Sequence, residues 1–184
     1  METETPDRLK EVPASKAHRL YYPGVPAVLC AKADARVSAM PVISYLAISE
    51  SPPMVGVACN PTSFTYWLLR KSGTFSLGWL DRKWAPCVEY LASRSGRGGT
   101  ADKVHEAGLR HRKGKVLNVP VITESEAAIE CTVASTLGFG DHILVVGKVE
   151  AAYASSDFRD YWRFRTYEPI LYTGWHGGLG FYEP

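Results

Sequence analysis

The chain lacks the devices through which most proteins handle nucleotides, metals and acyl groups. Gly96-Arg97-Gly98-Gly99 is without the third glycine of G-x-G-x-x-G, and no segment fits G-x-x-x-x-G-K-[ST], so neither a dinucleotide fold nor a P-loop is indicated. No G-x-S-x-G elbow occurs, and none of the five histidines stands four residues from another, which removes the hydrolase elbow and the helical zinc pair. The four cysteines, Cys30, Cys59, Cys87 and Cys131, lie 29, 28 and 44 residues apart with no C-x-x-C or Cys/His ligand spacing, so no metal site is expected. Cys30, Cys59 and Cys131 have apolar neighbours, as free buried thiols in a reducing cytoplasm would.

Charge of one sign is also missing. The 21 Lys+Arg against 19 Asp+Glu leave +2, too little to single out nucleic acid as a partner. The start is charged where an export signal needs an apolar stretch. The longest uncharged run, Ser51 to Leu69, is broken by Pro52, Pro53, Asn60 and Pro61, so no membrane-spanning helix is expected and a soluble protein is.

What is present reads as one domain. Apolar residues make up 46% of 184, enough for a core without metal or disulfide staples. Residues 1–20, polar and carrying Pro6 and Pro13, read as an N-terminal arm, and residues 21–184 as the domain, including an aromatic C-terminal segment. Strands are expected at Pro26–Lys32, from about Ser38 through Ile48, and at Met54–Cys59, the last buried on both sides by its composition. Pro41 marks the second of these as an edge or a bulge, because proline donates nothing to a ladder. A helix follows, with Ser63 and Thr65 as caps, Phe64, Trp67 and Leu68 as its apolar stripe, Arg70 and Lys71 in its last turn and Gly73 beyond it. Further strands are expected at Thr74–Leu80, Ala127–Thr136 and His142–Tyr153, with a short helix at Pro86–Leu91.

Residues 93–115 hold seven Lys+Arg against Asp102 and Glu106, and five glycines, which reads as a mobile surface excursion with a short helix near Asp102–Ala107. Without interleaved aromatics this stretch is not expected to bind nucleic acid. About six strands, few helices and no alternation of strand with long helix argue a barrel or sandwich. One segment offers an anion site of another kind. Asn60-Pro61-Thr62-Ser63-Phe64-Thr65 gathers hydroxyls and free amides at a helix N-terminus, where the dipole favours negative charge, although capping alone would explain the same residues.

Taken in order, the segments resemble the flavin reductase-like family of the FMN-binding split barrel. Pro26-Ala27-Val28-Leu29-Cys30 is similar to its first strand, and Ser38-Ala39-Met40-Pro41-Val42-Ile43-Ser44-Tyr45 followed by Ser49-x-x-Pro52-Pro53 to its flavin-facing strand and turn. Ser63-x-Thr65-x-x-x-Leu69 with Ser72-Gly73-Thr74-Phe75 resembles the phosphate-side helix and next strand. Asp102-Lys103, then Gly140-Asp141-His142-Ile143-Leu144-Val145-Val146-Gly147-Lys148-Val149, and finally Pro169-Ile170-Leu171-Tyr172 complete a likeness over roughly residues 20 to 182. In many members an asparagine stands where Ser38 is.

The resemblance implies a mainly β, Greek-key split barrel of about six strands with a few short helices, binding FMN, with FAD as the alternative flavin, and using NAD(P)H as reductant. It implies Asn60, Ser63 and Thr65 at the flavin phosphate, helped by Lys103 or, second, Arg70. Backbone of Ser38, Ala39, Met40 and Pro41, with Ser44 and Tyr45, would meet the ring edge, and His142 the incoming nicotinamide. A homodimer with flavin near the interface is implied, its contacts sought among Tyr172, Trp175, His176 and Phe181. Two activities follow from it. One is an NAD(P)H-dependent flavin reductase, serving a partner monooxygenase or other electron acceptor; the other is an FMN electron carrier that makes no direct use of nicotinamide.

Overall fold

The computed structural model describes residues 9–99, 101–175 and 179–181, with only backbone from Trp175 onward. A 3-10 helix at Ala14–Tyr21, none of whose residues is buried, leads into the first strand. Seven antiparallel strands form the main sheet: β1 (Ala27–Ala33), β2 (Arg36–Val42), β3 (Tyr45–Glu50), β4 (Pro53–Cys59), β5 (Thr74–Leu80), then β8 (Ser125–Phe139) and β9 (His142–Ala154). Between β5 and β8 lies a short hairpin of β6 (His111–Lys113) and β7 (Pro120–Ile122), and a second hairpin of β10 (Tyr172–Trp175) and β11 (Leu179–Phe181) ends the described chain. The spatial order β2-β1-β5-β8-β9-β4-β3 makes β2 and β3 the two edges of an unclosed, mainly β sheet. Among the described residues no helix is long and apolar enough to cross a membrane.

The expected second strand is in fact two strands. Ser38 to Ile48 breaks at Ile43-Ser44, so β2 and β3 run on opposite edges of the sheet rather than as one ladder. Pro41 does sit on an edge strand, paired with Val28 across β1. Burial on both faces belongs to β1, not to β4. Ala27, Leu29 and Ala31 enter the interior with Phe75, Leu77, Val57 and Val145, while Val28 and Cys30 face a second cluster with Val88, Leu91, Val104 and Leu109. In β4 only Val55, Val57 and Cys59 enter the interior, and Met54 and Ala58 are half-buried on the other side.

Helix α1 (Phe64–Ser72) closes one end of the interior through Phe64, Leu68 and Leu69, and ends on Gly73 in the left-handed region. Trp67, expected in its apolar stripe, is half-exposed and stacks on Phe64 instead. Helices α2 (Ala85–Ser93) and α3 (Lys103–Glu106) cover the outer face of β1 and β2. The stretch 93–115, expected to be a mobile excursion, is ordered by that packing. Val104 and Leu109 are buried, and Val37 of β2 donates its amide to Ala101 O at 2.8 Å.

Glu130 and Cys131, beside a register shift in the β8–β9 ladder, face opposite layers as neighbours in a strand do. Cys131 enters the interior. Glu130, fully buried, accepts the amides of Lys115 (2.7 Å), Val116 (3.2 Å) and Leu117 (2.7 Å), which pins the loop between β6 and β7. All four cysteines are free, and burial pushes the thiols of Cys30, Cys59 and Cys131 up to about 12.

Candidate functional site

A cleft of about 490 Å³ lies where the N-terminus of α1 meets β2 and the segment after α2. Its walls include Met40 and Pro41 from β2, Thr62 to Thr65 from the start of α1, Arg94 and Gly96 from the connecting segment, and Lys103 from α3. The start of α1 is built for an anion. Ser63 is the cap, its Oγ accepting from Tyr66 N at 3.1 Å, and Trp67 N reaches Ser63 O at 3.2 Å. That leaves the amides of Phe64 and Thr65, both cleft-lining residues, without a partner inside the helix. Thr65 is not a cap, contrary to expectation. It is 2% exposed, and its Oγ1 shares a hydrogen bond of 2.9 Å with Ser38 Oγ, which joins the helix to β2.

The edge position of β2 decides what faces the cleft. Val37 sends its N–H outward to Ala101, and Ala39 sends its carbonyl outward to Lys103. By the two-residue repeat of a strand, the Ala39 N–H, the Pro41 carbonyl and the Pro41 nitrogen point the same way. Proline is tolerated there because no ladder needs its donor. The Pro41 carbonyl therefore remains as an acceptor along the edge, while Ala39, 0% exposed, keeps its N–H buried behind the cleft wall.

Lys103 is the dominant charge. It is 3% exposed, and its Nζ donates to Ala39 O at 2.9 Å and Leu91 O at 2.7 Å, with no carboxylate partner. Burial pulls its ammonium down to about 8. Among the described residues no acidic side chain lines the cleft. Arg36 closes the wall: its guanidinium donates to Gly96 O and lies 4.5 Å over the Phe64 ring. Gly96 is needed at that approach, because a Cβ there would stand 2.8 Å from both Phe64 Cδ1 and Ser38 Oγ. Arg97 donates to Thr62 O at 3.0 Å. Sequence reasoning missed Arg36, Arg94 and Gly96; the seven cations of 93–115 were a signal for Arg94, and nothing singled out the other two.

The cleft thus gathers Met40, Pro41, Ser63, Thr65 and Lys103; Ser38 and Ala39 are fully buried behind its wall, and the other expected residues stand elsewhere. Asn60 turns its side chain into its own loop, accepting from Thr62 N at 2.9 Å and Thr62 Oγ1 at 2.8 Å. Ser44 is exposed in the break after β2, and only its carbonyl is engaged, by Ala58 N. Tyr45 points away, donating to Val25 O at 2.8 Å and accepting from Trp79 Nε1 at 2.9 Å. Arg70, in the last turn of α1, is at the wrong end of the helix to meet an anion at its start. His142 is half-exposed at the β8–β9 hairpin, hydrogen-bonded to Asp141 at 2.8 Å, and is not part of the cleft wall. Its strand neighbour Ile143 pairs with Cys59, so it lies at the end of the sheet from which the chain enters α1. Tyr172 is half-buried against Tyr22, with ring centroids 4.9 Å apart. The side chains of Trp175, His176 and Phe181 lie outside the described residues.

Residues 18–172 match the family model described as "Flavin reductase like domain". An uncharacterized protein of Aeropyrum pernix is 34% identical over 90% of this chain, and the match spans 63% of that protein's own length. The reductase subunit HsaB of a flavin-dependent monooxygenase from Mycobacterium tuberculosis is 33% identical over 59% of this chain and 54% of its own. Among solved structures, an FMN-binding protein from Thermus thermophilus with bound p-hydroxybenzaldehyde superposes with a TM-score of 0.77 at 29% identity, covering 96% of this chain and 94% of that one.

Two outcomes follow from the geometry. Thr65→Val should cost about 1–3 kcal/mol in urea denaturation, because it strands the buried Ser38 hydroxyl, and the double change Ser38→Ala/Thr65→Val should recover most of that loss; additive losses would mean that the two hydroxyls are not coupled. For Lys103 the folded pKa lies below the ordinary 10.5, so burial of the charge weakens the fold fully below about 8. That penalty is relieved as pH rises from about 8 to about 10.5, where the unfolded chain binds the extra proton. Stability should therefore rise across that window relative to Lys103→Met, and parallel pH profiles for the two proteins would refute it.

Proposed function

The chain belongs to the flavin reductase-like domain family, and on that premise we propose that it is an FMN-binding, NAD(P)H-dependent flavin reductase, with FAD as the alternative flavin. The observation that carries this reading is the cleft, which joins a helix N-terminus, a buried lysine and an open strand edge and has no carboxylate in its walls. FMN makes three demands: a dianionic phosphate, a polar ribityl chain and a flat ring with hydrogen-bonding edges. The amides of Phe64 and Thr65 with the Thr65 hydroxyl would hold the phosphate, and Lys103 and Arg94 would balance its charge. If Thr65 accepts from Ser38, its own proton is left for the ligand. Ser93 and Ser95 would face the ribityl chain. The Pro41 carbonyl would read the ring edge, with Met40 and Pro41 as apolar surface. The cleft continues past Pro41 and Ala92 into a smaller pocket of about 190 Å³ lined by Tyr22, Val42, Ile43 and Tyr172, which extends the apolar seat.

When bound, the flavin supplies the redox chemistry, accepting a hydride from C4 of the nicotinamide at its N5 and passing electrons to an acceptor. We place that chemistry in the cytoplasm, in keeping with buried free thiols. The likeness to a monooxygenase reductase subunit supports a partner monooxygenase as the acceptor.

A homodimer is part of the proposal, on a different surface from the C-terminal aromatics. By register, Leu46, Val146, Leu144, Leu137, Phe139 and His142 share one face of β3, β4, β9 and β8. Leu46 (53%), Leu137 (52%) and Phe139 (62%) are exposed on it, more apolar surface than one sheet face ordinarily leaves in water. A second copy docked there would put His142 at the interface, where it could reach the nicotinamide bound by its partner.

Anaerobic mixing tests the activity. The FMN-loaded protein should be yellow and bleach with one equivalent of NADH or NADPH; a yellow protein bleached by neither would be an electron carrier, and failure to bind FMN would end the flavin reading. For the dimer, Leu137→Glu should halve the mass measured by light scattering, and an intact protein that is already monomeric would refute it.

A further inference from the structure

A second cavity, larger than the flavin cleft, opens between the ends of β5, β8 and β9 and the segment 155–169 that crosses them. It holds about 700 Å³, within the range of pockets that enclose small organic ligands, and shares no wall residue with the cleft. Its walls are aromatic: Tyr45 and Trp79 from the barrel, and Phe158, Trp162, Phe164 and Tyr167 from the crossing segment. Ala127, Ala152 and Ala154 leave the floor open.

These walls are fixed by the chain itself. The buried Asp157 carboxylate accepts from Thr166 N at 2.7 Å, Thr166 Oγ1 at 3.0 Å and Tyr167 N at 2.8 Å, and Asp81 accepts from Glu168 N at 2.9 Å. Trp162 then packs 5.3 Å from Phe158 and 4.9 Å from Tyr167, centroid to centroid. Phe164 is held with φ at 50°, a conformation that a bulky residue adopts only when its surroundings impose it, and its ring remains 55% exposed at the mouth.

The polar content of the cavity is small and specific. Among the described residues no charged side chain lines it. The Tyr45 hydroxyl is engaged twice by its own chain. Tyr167 is 4% exposed, yet among the described residues its hydroxyl has no hydrogen-bond partner, although its backbone amide does. Burial pushes this phenol up, so it is a protonated donor at neutral pH.

An aromatic box with no charge and two unpartnered hydroxyls, those of Tyr167 and of the wall residue Ser155, disfavours flavin phosphates and nicotinamide dinucleotides, whose anionic groups would find no cation there. We propose that this cavity is a binding site for an uncharged, flat aromatic molecule carrying one oxygen, stacked among Trp79, Trp162 and Phe164 and hydrogen-bonded by Tyr167. The site is independent of the flavin cleft and of the reading built on it.

The probe is 2-naphthol, titrated by calorimetry and tryptophan fluorescence into the protein with and without saturating FMN. One molecule per chain should bind with a dissociation constant below about 1 mM, unchanged by FMN. Tyr167→Phe should weaken 2-naphthol by about 2–10-fold while leaving the oxygen-free parent naphthalene unaffected. Ala152→Trp, at an exposed floor position, should abolish binding without disturbing the circular dichroism, and 2-naphthalenesulfonate should bind at least about tenfold more weakly than 2-naphthol. Absence of saturable binding, displacement by FMN, equal affinity for the sulfonate, or indifference to both variants would overturn the proposal. Binding seen only on dilution to monomer would also overturn it, because a second copy of the chain would then fill the cavity.

Discussion

Much of this molecule follows from one obligation: β2 is an edge strand, and the backbone groups on its outer side need partners. Val37 is satisfied by Ala101 and Ala39 by the ammonium of Lys103, and Pro41 has no donor to satisfy. The 91–103 segment is therefore fastened along the first half of the edge and not the second. Where it departs, the strand edge lies open beside the N-terminus of α1, and the cleft is the space between them. Arg36, bridging Gly96 and Phe64, and the Ser38–Thr65 hydrogen bond keep the walls at their spacing.

The same fastening creates the site's electrostatics. Lys103 reaches the edge by burying its ammonium against two carbonyls, Ala39 and Leu91, which carry dipoles but no charge. A buried cation without a counter-ion is costly, and its lowered pKa expresses that cost. A bound dianion would supply the missing charge and return the lysine toward its ordinary protonation. Strand-edge satisfaction, low-dielectric burial and anion affinity thus meet in one side chain.

The strands were largely legible in the sequence, and so was the edge position of the second, because Pro41 can stand only where no donor is needed. The break at Ile43-Ser44 was not, since Ile43 favours strands and a lone serine is only a weak turn signal. Ser63 and Thr65 look alike in sequence, and only the backbone angles at Ser63 decide which of them caps. Ser44 and Tyr45 could have been separated in advance: neighbours in a strand face opposite ways, so both could not read one ring edge. Lys103 in a glycine- and arginine-rich stretch resembles a solvated lysine; only the family likeness singled it out, and no sequence feature announced its burial. The aromatics Phe158, Trp162, Phe164 and Tyr167 stood in plain view, but what they enclose depends on Asp157 and Asp81 folding the segment back across the sheet.

The central claim is that FMN lies in the cleft between α1 and the open edge of β2. Backbone hydrogen exchange, followed residue by residue with and without FMN, tests it most directly. The account predicts new protection at the amides of Phe64 and Thr65, with the amides of the 155–169 segment unchanged. Protection confined to that segment, with Phe64 and Thr65 exchanging as before, would contradict it.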